Sequence, residues 1–109
     1  MSTPDLPAPV GAFVDAVNRG DTDSFLAFFP DDGVVDDWGR RFVGHDAIRG
    51  WSDREFIGAE GTMTPQTVDV RGDEVDVRAG WASTHHNGDS RFVFVTDGDR
   101  VREMRITSG

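Results

Sequence analysis

A chain of 109 residues without a lysine, a cysteine or a tyrosine has few routes to covalent or acid–base chemistry. It can form no Schiff base, no thiolate nucleophile and no phenolic proton donor. Proton transfer then falls to Asp, Glu and His, with Ser, Thr, Arg, Asn and Trp as hydrogen-bonding helpers. Asp37 is the leading candidate for a base. It stands two residues after Val35 in a segment that reads as a strand, so the two side chains share a face, and a Val35 turned to the core carries Asp37 with it. A carboxylate in an apolar pocket has its pKa raised by desolvation, which suits it to move a proton between carbons beside a carbonyl. The competing reading is a solvated acidic turn, because Asp31, Asp32, Asp36 and Asp37 stand close together in an Asp-rich chain.

His85 continues the alternating face of Val75, Val77, Ala79, Trp81 and Ser83. That face would bring its imidazole to a pocket mouth as a proton donor poised near neutral pH. The alternative for it is a polar strand end before the Asn87-Gly88 turn. His86 is expected to face the other way, and His45 to cap the start of a helix. Adjacent histidines on one strand do not chelate a single ion, and no carboxylate spacing completes a set, so no metal site is expected. Ser83 beside His85 lacks the geometry of a nucleophile triad. Trp38, Trp51 and Trp81, with Phe13, Val17, Phe56 and Phe92, are the candidate ligand-lining residues. They are core or cavity wall, and an indole N–H can orient a ligand's oxygen while its ring buries apolar area.

The elements that must position these residues follow from hydrophobic period. Residues 1–8 carry prolines and little hydrophobicity and read as a flexible arm, leaving one domain over residues 9–109. Val10, Phe13, Val14 and Val17 fall on one helix face, with Gly20 at the stop. Asp21 or Thr22 then caps a short helix bearing Phe25, Leu26, Phe28 and Phe29, which Pro30 ends. Val34-Val35 and Phe42-Val43 around Gly39 predict a small hairpin, and Asp46 to about Phe56 a third helix. From Val68 onward the period is two: four strands separated by Gly72-Asp73, Asn87-Gly88 and Gly98 predict an antiparallel meander. Arg78, Arg91 and Arg105 fall at alternating positions and are expected to pair with Asp76 and Glu103 on the outer sheet face. Helices first and strands last indicate α+β rather than βαβ units.

The totals narrow the class. One domain's worth of chain, 37% hydrophobic and 10% aromatic, buries a single core and contains no apolar run long enough to span a membrane. The first residues have neither a basic start nor an apolar stretch of the secretory kind, which makes the cytoplasm the expected location. A net charge of −9 argues against nucleic acid as a partner. All eleven basic residues are arginine and the acidic set is mainly aspartate, a bias expected of a high-salt cytoplasm or of GC-rich coding. At about 1 M salt such self-repulsion is screened within about 3 Å.

Three stretches together resemble the nuclear-transport-factor-two-like superfamily, in its SnoaL-like and ketosteroid-isomerase-like branch. Phe13-Val14-Asp15-Ala16-Val17-Asn18-Arg19-Gly20-Asp21 is similar to the end of that family's first helix. Phe28-Phe29-Pro30-Asp31-Asp32-Gly33-Val34-Val35-Asp36-Asp37 is similar to the approach to its first strand, and Gly44-His45-Asp46-Ala47-Ile48-Arg49-Gly50-Trp51 to the start of its third helix. The resemblance covers roughly residues 8–107. It implies a cone-shaped half-barrel, a cystatin-like α+β roll, in which about three helices close a curved antiparallel sheet around a pocket for a small hydrophobic molecule. It also implies a homodimer through the outer sheet face and no cofactor. Asp37 resembles the catalytic base of ketosteroid isomerase, but the tyrosine position of that enzyme is similar to Phe13 and its second aspartate falls near Ser90 or Arg91. These departures argue against ketosteroid isomerase activity itself. Two functions stay open: an isomerase, cyclase or hydratase with Asp37 as base and His85 as donor, or a non-catalytic ligand-binding or dimeric assembly module.

Overall fold

The computed structural model describes residues 5–108. Residues 1–4 of the expected arm lie outside the described residues, and Leu6 packs against the core. Helix α1 spans Val10–Asn18 and buries Val10, Phe13, Val14, Ala16 and Val17, the face set by the 3.6-residue period. Gly20, with φ 71°, ends the turn that follows. Helix α2 spans Thr22–Ala27; the Asp21 side chain caps it by accepting from the Ser24 amide at 3.1 Å. Phe28 and Phe29 therefore fall just beyond the last helical turn, where Phe29 joins Phe13 and Phe25 in a cluster of tilted and edge-on rings.

Strands β1 (Val34–Asp37) and β2 (Arg40–Val43) form a hairpin in which Val35 faces Phe42 and Asp37 faces Arg40. Its two-residue turn, Trp38-Gly39, has positive φ at both positions, 55° and 88°, as a type I′ turn demands. Helix α3 spans His45–Glu55 and buries Ile48, Trp51 and Ser52. His45 does not cap it: Gly44 occupies that position, and His45 Nε2 instead bonds the Phe29 carbonyl oxygen at 2.8 Å, tying α3 to the end of α2.

The long strands β3 (Thr62–Arg71), β4 (Glu74–Ala82), β5 (Gly88–Asp97) and β6 (Arg100–Ser108) make the antiparallel meander. The hairpin joins it through a parallel pairing of β1 with β6, so the six-stranded sheet is mixed, in the order β2-β1-β6-β5-β4-β3. It is curved and unclosed, and the three helices pack on its inner face, an α+β cone. Val75, Val77, Ala79, Trp81, Phe92, Phe94, Met104 and Val35 supply the sheet's half of the core. On the outer face Arg91 pairs with Asp76, and Arg105 with both Glu103 and Glu74, while Arg78 lies opposite Arg91. Val93, on that face, is only 8% exposed beneath these side chains. No helix among the described residues is long and apolar enough to cross a membrane.

Candidate functional site

The open end of the cone holds a cavity of about 360 Å³. Its walls are aromatic because Phe56, just past α3, bridges that helix to β4: Trp51 stacks on Phe56 at 4.7 Å between centroids, and Phe56 on Trp81 at 4.6 Å with only 10° between planes. Phe92 and Ile106 complete the apolar lining. The spacing has a local cause. Gly61 passes so close to Trp81 that a Cβ there would lie 2.0 Å from the ring, so only glycine lets the indole seat against this segment. Of the two buried polar residues among those described, Ser52 and Ser90, Ser90 faces the cavity. It lines the cavity, is 3% exposed, and its hydroxyl makes no hydrogen bond among the described residues.

Charged residues form the mouth. Asp37 and Arg40, opposed across the hairpin, are ion-paired. Arg40 also holds Glu55, at the end of α3, with two bonds of 3.0 and 2.7 Å in the forked geometry that suits a guanidinium to a carboxylate. His85 Nε2 lies 3.2 Å from Glu55 Oε1, the oxygen of the shorter of these bonds. The result is a chain of four groups, Asp37–Arg40–Glu55–His85. Hydrogen bonding by Arg40 holds the Glu55 carboxyl below its ordinary value, and the two carboxylates raise Arg40 further above its own. Asp37 accepts a second bond, from Trp51 Nε1 at 3.1 Å. Both of its bonds reach Oδ2, and Oδ1 accepts none among the described residues.

Of the residues singled out in the sequence, Asp37, His85, Trp38, Trp51, Phe56, Trp81 and Phe92 line this cavity, whereas Phe13 and Val17 do not. Phe13 is fully buried among Phe25, Phe28, Phe29 and Phe94, and Val17 is likewise core. His86 differs from expectation. Strand β4 ends at Ala82, and Ser83 Oγ accepts from both His85 and His86 amides in a tight turn. Alternation lapses there, and both histidines line the mouth. Arg40 and Glu55 escaped sequence reasoning. Their traces were slight: a charge opposite Asp37 across a two-residue turn, and an acid four residues after Trp51 on one helix face. Among the described residues no three His, Asp or Glu side chains are grouped to hold a metal ion.

The model of the SnoaL-like domain matches residues 10–109. No curated protein sequence matches the chain. Among solved structures, a proposed polyketide cyclase from Sinorhizobium meliloti is 28% identical, with a TM-score of 0.87 over 98% of this chain and 100% of that one. The epoxide hydrolase/cyclase-like enzyme SalBIII, of pyran ring formation in the polyether salinomycin, is 22% identical, with a TM-score of 0.78 over 92% of this chain and 87% of that one. The canthaxanthin-binding Orange Carotenoid Protein of Anabaena (Nostoc) sp. PCC 7120 is 17% identical, with a TM-score of 0.82 over 99% of this chain but only 38% of that one. The last two likenesses are likenesses of fold.

Proposed function

The chain belongs to the SnoaL-like domain family, and on that premise we propose that its cavity takes up one small, mainly apolar molecule and moves a proton on it. The observation that carries the reading is the Asp37 carboxylate. Arg40 and Trp51 anchor its Oδ2 at the edge of an aromatic-walled cavity, and Oδ1 has no partner among the described residues. An anchored carboxylate with one free oxygen is a positioned base, and proximity of this kind supplies much of the rate in proton transfer. Asp37 Oδ1 takes a proton from a carbon beside the ligand's carbonyl. The Ser90 hydroxyl, free in the interior, donates to the oxygen on which charge gathers. His85, oriented by Glu55, returns a proton to the product. Isomerisation and aldol-type ring closure of a hydrophobic substrate use this sequence, hydration uses the same groups with Asp37 taking its proton from the attacking water instead, and none calls for a cofactor. The cyclase relatives support the choice of chemistry.

A second reading has an observation of its own. Asp37 is held by a guanidinium, which is also how a purely structural ion pair at the rim of a binding pocket would look. In that case the cavity binds without turnover. Incubation with cyclic enones and aromatic polyketide esters in deuterated buffer separates the two. Proton transfer predicts deuterium uptake beside the carbonyl that is lost in Asp37→Asn, while a thermal shift without exchange leaves binding alone. A ligand at about 100 times its Kd adds roughly 2.7 kcal/mol in either case. The proposal extends to a homodimer through the outer sheet face and to a cytoplasmic, high-salt setting. Sedimentation at micromolar concentration tests the dimer, and a monomer there removes it.

A further inference from the structure

Trp38 occupies the first position of the β1–β2 turn, where positive φ ordinarily selects Asn, Asp or Gly. Its φ of 55° puts an indole-bearing residue in the left-handed region, a conformation that strains any side chain of this kind. The residue is 60% exposed, and no other large hydrophobic residue among the described residues is exposed so far. The turn is not loose. Trp38 N donates to the Ile106 carbonyl at 3.1 Å, Gly39 N donates to Asp36 Oδ1 at 2.8 Å, and the Asp37–Arg40 pair closes its base. The backbone is pinned while the indole stands free on the rim of the cavity it helps to line.

We propose that Trp38 is the closing residue of the cavity, and that its indole folds down on the solvent side of a bound apolar ligand. This rests on the reading of the cavity as a small-molecule pocket. A strained turn and an exposed indole both weaken the empty protein. Strain held in place by surrounding hydrogen bonds collects where a ligand is clamped. An indole that covers an apolar ligand buries the same ring that is otherwise left in water. The walls are already committed to one another in the Trp51–Phe56–Trp81 stack. Trp38 is the tryptophan left with a face to offer.

The test uses 1-N-phenylnaphthylamine, an uncharged dye that brightens in apolar surroundings, with the wild type, Trp38→Asn and Trp38→Phe. Asn accepts positive φ, so Trp38→Asn should melt about 4 °C higher or more while its Kd for the dye weakens about tenfold. Trp38→Phe, which keeps a ring and the strain, should hold most of the affinity without the gain in Tm. Acrylamide quenching adds a second readout. Trp51 and Trp81 are 1% and 7% exposed, so quenching reports Trp38, and the dye should shield it. A Trp38→Asn protein that binds the dye as the wild type does, or that melts lower, overturns the proposal. Shielding that follows protein concentration rather than dye also overturns it, since a second copy then covers the ring. A wild type with neither dye binding nor thermal shift brings down the pocket reading and this proposal together.

Discussion

Arg40 gathers the mouth of the cavity by itself: its guanidinium binds Asp37 and Glu55 and lies 5.7 Å from the Phe42 ring. The consequence can be measured at Glu55. Arg40 holds this carboxyl below its ordinary value of about 4.5, so its contribution to stability is in full above that value and is lost as pH falls through the lower folded value. Glu55→Gln is expected to cost about 1 kcal/mol at neutral pH, a modest figure because Arg40 is half exposed. Urea unfolding of the two proteins should converge below pH 4.5, and a gap that persists in strong acid would show that Glu55 acts by packing alone. The direction of Asp37 was legible from its distance to Val35, because a strand alternates strictly. The network it joins was not. Arg40 and Glu55 are fifteen residues apart in sequence, and nothing in a one-dimensional pattern says that the end of α3 lies against the tip of the hairpin. His86 was misplaced for the opposite reason. A local turn at Ser83 overrode a period that the preceding residues obeyed.

Between elements, Asn18, the last residue of α1, ties that helix to β3. Its Nδ2 donates to the Met63 carbonyl at 2.8 Å and its Oδ1 accepts from the Met63 amide at 2.7 Å, so one side chain stands in for a neighbouring strand at the edge of β3. Asn18→Asp removes the donor and sets a carboxylate against a carbonyl. It is expected to destabilise by about 2 kcal/mol, and hydrogen exchange should show the Met63 amide losing protection. Gly61→Ala acts on the next segment. The added methyl must displace the Trp81 ring, at a cost of about 1–3 kcal/mol. Loss of dye binding should then exceed the loss of stability, because Trp81 moves into the cavity. The helices and the meander were legible because each has its own period and its own stops at Gly20, Pro30, Gly72 and Gly98. The parallel pairing of β1 with β6 was not, since alternation fixes which face a residue takes and is silent on which strand lies alongside.

Across the whole molecule the balance is acidic, with a net charge of −9 and no lysine. On the outer face Arg91 and Arg105 pair with Asp76, Glu74 and Glu103, and Asp76 is held below its ordinary value by Arg91. The uncompensated carboxylates repel one another in dilute buffer. Tm is expected to rise by several degrees between 0.1 and about 1 M KCl, where screening reaches about 3 Å; a flat response would remove the high-salt reading and leave coding bias. The mixed sheet also has a history. Strand β1, which carries Asp37, takes its neighbour from the far end of the chain, where β6 supplies the partner for Val34 to Asp37. A ribosome delivers the hairpin before that neighbour. Until β6 has paired with β5 on one side and β1 on the other, the hairpin that carries Asp37 has no strand joining it to the meander, so the aromatic wall and the charged rim of the cavity are brought into one sheet by β6.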